Sequence, residues 1–456
     1  MAHPDRNHPV PGPGASAVPE GRRVRSAALL TAFLVLVVVA VLVVVLPGEQ
    51  AEDDRDACRP LKVTGWEPES RLTGEFARYG DNNNSLDDWT GGDGNRSVAL
   101  PDGRTLWLAA DTFLDAVQNG RTRQDPRWVR NSALVMSPDG TLERTVLADG
   151  PSGFFPGLAT PDGREVWRWP GGGTVEPREP GSGEEVLRVV LWQRESAQAP
   201  WAFGMPRASE VATISLPDLK LESIESIDVP VSQNPAERVL YGTTVLTEGR
   251  WTYVFGADER TALGQASEAH VARVPRGSLA DRDRWRYWDG RAWQRDAARS
   301  DALLVGGSDS GRGATNTFSV ARRGGTWLLF TADAGGPDGR GLTHVASYWA
   351  CSPQGPWHGP SDALTPPLPK GAEGRRALAY NPQAHGDLDT GGGGDGTDGG
   401  GADDGLVLGY DVNVPDQVSA VHEDVELYRP RFVTLRLGER RPAGRELPRP
   451  RPRRRR

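Results

Sequence analysis

The stretch WTGGDGNRSVALPDGRTLWLAADTF, residues 89–113, sets two carboxylates, Asp93 and Asp111, at the two ends of what reads as a β-hairpin. Ser97 to Leu100 reads as the outgoing strand and Leu106 to Ala110 as the return. Pro101-Asp102-Gly103 between them is turn chemistry, with Pro presetting φ and Gly tolerating a positive one. An antiparallel hairpin brings its open ends together. Asp93 and Asp111 are therefore expected on the same side of one sheet, where one carboxyl group can donate a proton while the other accepts one. The glycines flanking Asp93 would let a ligand come close to the backbone there.

The elements that must hold this pair repeat along the chain. Four segments, LWLAADTF, TYVFGADE, WLLFTADA and LVLGYDVN, are apolar strands that each close on an aspartate: Asp111, Asp258, Asp333 and Asp411. Each follows a strand and a turn, and the first three precede a further strand. A fifth unit with a longer hairpin fits residues 154–219. The 456-residue chain has 56 Gly, 37 Pro, 15 Trp and only 3 Met, a mixture that favours short strands and turns over long helices. The fold expected is all-β: a five-bladed β-propeller over residues 65–437, since propellers carry ~4–8 blades around a central channel. First strands would then start, and second strands end, around one funnel. Asp93, Asn95, Arg96, Leu158, Thr243, Asn316, Asn381 and His385 are placed there by the first strands. The four repeated aspartates come from the second strands, and Arg130, Asn131, Glu210, His270 and His344 from the third.

The lead hairpin, together with VRNSALV, YWACSPQGPW and YNPQAH followed by LVLGYDVN, resembles secreted five-bladed propellers catalogued as domain-of-unknown-function families 4185 and 5005. These are relatives of the glycoside hydrolase family 43 type of propeller. The resemblance covers about residues 65–437. It implies a carbohydrate site in the axial funnel and an arabinofuranan-type polysaccharide as substrate. Such chemistry needs two carboxylates: one protonates the leaving oxygen, the other activates water or attacks the sugar. Asp93 matches the base or nucleophile position on the first innermost strand. Glu210 and Asp111 lead as the acid, with Asp258 next. One departure from the pattern stands in FFPGLAT, where Leu158 occupies a position at which an acidic residue is expected.

Architecture competes with chemistry at several of these residues. An aspartate repeated in unit after unit also reads as a turn cap, since its side chain bonds nearby backbone. Asp93 has no counterpart in the other units and reads as functional. Arg130 either binds substrate or pairs with Asp111 to close its blade. Asn131, Asn316, His270, His344 and His385 are candidate sugar contacts, and Trp89 and Trp128 candidate stacking platforms. Too few His and Cys lie together to suggest zinc. No cofactor is expected. A structural calcium in the Gly-rich stretch 386–405 would lack a ligand loop of known spacing. The chain carries no GxSxG elbow, HExxH helix, P-loop or dinucleotide fingerprint. The competing function is a propeller that binds wall glycan, or a protein partner, without cutting it. A structural envelope protein with no ligand is the third reading.

The ends of the chain speak to location. Ala27–Leu46 is an apolar run of 20 residues, and about 20 cross a bilayer as a helix. Arg22, Arg23 and Arg25 precede it and acidic residues follow, which orients the large domain outside the cell. The reading is a single-pass signal anchor over residues 26–46, behind a disordered segment 1–25 and ahead of a linker 47–64. Cys58 and Cys351 are the only two cysteines, and outside the membrane a disulfide between them can persist. Residues 438–456 are expected to form a basic, disordered tail. The net charge of −8 then describes an acidic body, which argues against nucleic-acid binding.

Overall fold

The computed structural model describes residues 57–439, apart from 84–87, 124, 149–152, 202, 229–231, 305–312, 333–343, 374, 389–404 and 415–417. The Ala27–Leu46 run, Asp333, most of the Gly-rich stretch and nearly all of the basic tail lie outside these residues. Among the described residues, no helix is long and apolar enough to cross a membrane.

The chain opens with β1 (Leu61–Pro68) and helix α1 (Ser70–Asp81). The first hairpin region follows: β2 (Trp89–Gly92), β3 (Arg96–Ala99), β4 (Thr105–Ala109), β5 (Thr112–Leu114), β6 (Arg127–Val129), β7 (Ser132–Met136) and β8 (Leu142–Val146). Next come β9 (Val166–Pro177), β10 (Glu185–Glu195), β11 (Met205–Ser215) and β12 (Leu221–Asp228). The third group is β13 (Leu240–Glu248), β14 (Trp251–Ala257), β15 (Ala269–Pro275), β16 (Arg286–Trp288) and β17 (Trp293–Gln294). The fourth is β18 (Ser319–Arg323), β19 (Thr326–Ala332), β20 (Val345–Ala350) and β21 (His358–Leu364). Last are β22 (Leu378–His385), β23 (Gly405–Asn413), the short helix α2 (Val418–Glu423) and β24 (Arg431–Glu439).

These strands make a mostly β, propeller-like body. Four sheets are antiparallel meanders of consecutive groups: β3-β4-β7-β8, β9 to β12, β13 to β17 and β18 to β21. A fifth runs β22-β23-β24-β1, so the first strand of the chain completes the last sheet. The first strands of the five sheets touch in a closed order, β3 to β9 to β13 to β18 to β22 and back to β3. A small sheet, β2-β5-β6, stands outside this series. It and α1 were not expected from the sequence.

The core lies between neighbouring sheets. Leu106, Leu108, Val189 and Leu191 fill the contact of the first two, and Val190, Val211, Val254 and Trp285 the next. Phe255, Phe318 and Trp327 join the third to the fourth; Phe330, Leu408 and Val433 join the fourth to the fifth. Phe432 of the last sheet meets Trp107 of the first, with Phe76 of α1 wedged between them at ring distances of 5.0–5.5 Å. Each fully buried residue of this kind contributes about 1.5–3 kcal/mol. The buried apolar residues of the strands therefore hold the sheets against each other and fix where the strand ends point.

One boundary differs from expectation. The linker was expected to run through residue 64, but β1 begins at Leu61 and pairs with β24 from Leu61↔Glu439 to Pro68↔Val433. Its partner is in the distant C-terminal strand, so nothing local in LKVTGW marks the pairing. Just ahead of β1, Cys58 is disulfide-bonded to Cys351 at the end of β20, with Cα atoms 5.4 Å apart. The bond fastens the closing strand to the fourth sheet.

Candidate active site

The opening hairpin forms within a residue of the expected strands. Arg96 pairs with Leu108 and Ala99 with Thr105. Beyond the paired strands, the Ala110 N–H donates to the Asp93 carbonyl at 2.8 Å and the Asp93 N–H to the Asp111 carbonyl at 3.3 Å. The two acids thus leave the hairpin side by side. Gly91 is needed here because a Cβ would sit 2.7 Å from the Tyr428 carbonyl oxygen. Gly94, at φ +68°, turns the chain directly after Asp93 and aims its own N–H into the site.

That N–H donates to Asp411 Oδ2 at 2.7 Å. Asn381 Nδ2 donates to the same oxygen at 2.9 Å, and Asn95 Nδ2 to Asp411 Oδ1 at 3.2 Å. Asp411 was expected at the close of its strand. Instead β23 continues past it to Asn413, and Asp411 sits opposite Tyr380 in β22. It joins the first hairpin to the last sheet and makes the site a cluster of three carboxylates.

The three differ in what surrounds them. Asp111 Oδ1 accepts the indole N–H of Trp169 at 2.9 Å, and its Oδ2 lies 3.5 Å from Arg130 Nη1. Burial raises the Asp111 carboxyl to about 6, while Arg130 pulls the other way. Burial raises Asp411 to about 6 as well, opposed by its three N–H donors. Asp93 is pushed well above the carboxylate range, first by burial and then by the charges of Asp411 and Asp111. Its Oδ2 accepts the Tyr380 hydroxyl at 2.8 Å. The Tyr428 hydroxyl lies beside it and donates to the Asp111 carbonyl at 3.2 Å. Burial raises both phenols too, so they stay protonated and act as donors. Below the cluster, Arg96 is buried and holds the loop through bonds to the Gly94 and Pro170 carbonyls at 2.9 and 3.1 Å.

Several expected site residues are placed elsewhere or are fully used. Glu210 was expected at the start of a third strand. It falls inside the long β11, where Arg168 grips it bidentately at 2.6 and 3.0 Å, both side chains buried. Both of its oxygens are thus already engaged by a buried guanidinium. Asn131 is fully buried and spends its side chain on backbone groups of Phe155 and Arg168. Trp89 is wholly buried against Phe76 and cannot stack on a ligand. His270 is buried with Nδ1 on Ser300, and His385 is buried between Trp107 and Phe432 with Nδ1 on Ser97. Burial lowers both histidines to about 4, so they are neutral near pH 7. His344 is exposed just ahead of β20. Asn316 donates to the buried Glu259 at 2.9 Å, which Arg194 also grips. Asp258 caps its turn, accepting from the N–H groups of Arg260 and Glu268 and pairing with Arg260.

The family scan matches residues 76–437 to the family described as "Domain of unknown function (DUF5005)". The chain belongs to the DUF5005 family. No curated protein matches this DUF5005 chain. Among solved structures, a candidate hydrolase from Bacteroides ovatus ATCC 8483 superposes with a TM-score of 0.56 at 16% identity, covering 81% of this chain and 89% of that one. A family 43_1 glycoside hydrolase from Xanthomonas citri gives 0.40 at 13% identity, over 79% and 92%. A family 43 arabinoxylan arabinofuranohydrolase from Bacillus subtilis gives 0.40 at 10%, over 79% and 65%. At these identities the first likeness establishes the fold of the DUF5005 chain. The site rests on its own geometry.

Sequence reasoning missed Tyr380, Tyr428, Trp169 and Glu165. Tyr380 lies directly before Asn381, a funnel candidate, and Trp169 follows Arg168 in the second unit. Tyr428 comes from a short 3-10 turn with no pattern to single it out. Among the described residues, no group of three or more His, Cys, Asp or Glu is arranged to hold a metal ion.

Proposed function

We propose that the five sheets are the blades of a five-bladed β-propeller and that the Asp93, Asp111 and Asp411 cluster cleaves glycosidic bonds. The carrying observation is the unequal surroundings of the three acids. Asp111 has a guanidinium and an indole N–H; Asp411 has three N–H donors; Asp93 faces two phenols and two carboxylates. Three carboxylates this close cannot all ionise, and the proton stays on the one least compensated. Asp93 then protonates the leaving oxygen, and ionised Asp111 activates water or attacks the sugar. This assigns Asp93 the acid role, where the family resemblance suggested base or nucleophile. Asp411 positions Asp93 through the Gly94 N–H.

The test is release of reducing ends by the purified protein from arabinan, arabinogalactan, xylan and β-1,3-galactan, with an arabinofuranan as the first substrate. Asp93→Asn and Asp111→Asn are expected to lower the rate at least a hundredfold, as removal of an acid or base does. Asp258→Asn is expected to retain it. Equal rates for wild type and Asp93→Asn would end the reading.

Leu158, 39% exposed where an acid was expected, favours a second reading in which the funnel holds glycan without cutting it. Retention of a polysaccharide by wild type and Asp93→Asn alike, with no reducing ends, would select it. We also propose, from the sequence, that Ala27–Leu46 anchors the protein with the propeller outside the cell. Protease added to intact cells should then degrade the propeller, and full protection would refute this.

A further inference from the structure

A cavity of about 670 Å³ opens beside the carboxylate cluster, within the ~300–1,000 Å³ range of small-molecule sites. Trp128, Arg130, Leu158, Glu165 and Trp167 contribute to its wall. We propose that it binds a neutral sugar unit of the glycan, next to the unit that is cleaved. This rests on the glycan-acting reading above.

Three features carry the assignment. The first is an exposed aromatic surface. Trp128 is 45% exposed and Leu158 39%, two of the five large hydrophobic side chains exposed among the described residues, and both line this cavity. Phe113 supports the Trp128 ring edge-on at 5.0 Å, so the platform is held before any ligand arrives. The C–H face of a sugar ring fits such a surface.

The second is a preformed polar fork. Arg130 Nε and Nη2 each reach a Glu165 oxygen at 2.9 Å, while the guanidinium carbon sits over the Trp167 ring, 4.2 Å from its centroid. Adjacent hydroxyls of a ring can donate to Glu165 and accept from Arg130 without either side chain moving. The charge balance selects the kind of sugar. Arg130 is already shared between Glu165 and Asp111, so an anionic sugar would meet the Glu165 carboxylate and no uncommitted cation in this wall.

The third is continuity with the acids. Arg130 Nη1 contacts one Asp111 oxygen, and Trp169, two residues along β9 from Trp167, holds the other. A ring in the cavity therefore abuts the reacting centre.

The test is calorimetric titration of the full chain carrying Asp93→Asn, which leaves ligands intact. The neutral probes are xylotriose, cellotetraose and β-1,3-galactotriose; the anionic probe is trigalacturonate. At least one neutral probe should bind, and trigalacturonate at least tenfold more weakly. Trp128→Ala should weaken the neutral probe at least tenfold. Leu158→Asp, at an exposed position that no core cluster uses, should do the same with an unchanged melting temperature. The proposal is overturned if no neutral probe binds, if trigalacturonate binds as tightly, or if Leu158→Asp in a normally melting protein binds like its parent. The two readings fail separately. Cavity-dependent binding without reducing-end release would defeat hydrolysis alone. Hydrolysis with unchanged KM in Leu158→Asp would defeat the cavity alone.

Discussion

Arg130→Met isolates the electrostatic asymmetry on which the proposed roles depend. It keeps most of the side chain's bulk and removes the cation beside Asp111. At the observed 3.5 Å separation, the Coulomb energy is about 5 kcal/mol at an effective dielectric of 20 and about 1 kcal/mol in bulk water. Arg130 is 29% exposed and divides its charge with Glu165, so about 2 kcal/mol is the reasonable middle. One pKa unit is about 1.4 kcal/mol, so Asp111 should rise by about 1.5 units from its value of about 6. The assay is carbon NMR of the carboxyl groups in protein labelled at aspartate, with Asp111→Asn to assign the resonance. It needs no substrate. If the protein hydrolyses a glycan, the acidic limb of its pH–rate profile, which requires ionised Asp111, should lie near pH 6 and move up by the same amount. An Asp111 midpoint that stays put, or falls, would refute the claim that Arg130 keeps this carboxylate charged.

Three further outcomes follow from the same structure. Arg168→Met strands the buried Glu210 carboxylate and should cost about 3–5 kcal/mol of stability, read by denaturant unfolding; a loss below about 1 kcal/mol would show that the pair is solvated. Asp258 holds its proton more tightly folded than unfolded, about 6 against 3.8, so its term favours the fold at low pH and is lost as pH rises from 4 through 6. It amounts to about 3 kcal/mol, and Asp258→Asn should flatten the pH dependence of melting across that window, whereas an unchanged slope would contradict the assignment. Cys58→Ser with Cys351→Ser opens a covalent link between residues 293 positions apart and should lower stability by about 2–4 kcal/mol in oxidising buffer; an equal loss after reduction of both proteins would point to packing instead of the bond.

What sequence determined here is local. Short apolar runs with Gly and Pro turns set the strands and their grouping into repeated units. Turn chemistry at Pro101-Asp102-Gly103 set the hairpin register, so the meeting of Asp93 and Asp111 was legible without a structure. What lay beyond it depends on contacts between distant strands. Asp411 looked like one more repeated turn residue, yet ring closure carries it to Gly94 across more than three hundred residues. Glu210 and Arg130 have the same residue types as a proton donor and a substrate clamp, but their partners decide their state: a buried guanidinium for one, two carboxylates for the other. Trp89 and Trp128 both sit near loops in the sequence, and only packing against Phe76 buries the first while the second stays open. The strand that closes the last sheet comes from the other end of the chain. Composition and periodicity fix which residues can form strands because those forces act between near neighbours. Burial and charge compensation, which decide what each carboxylate can do, arise only once the sheets have closed into a ring.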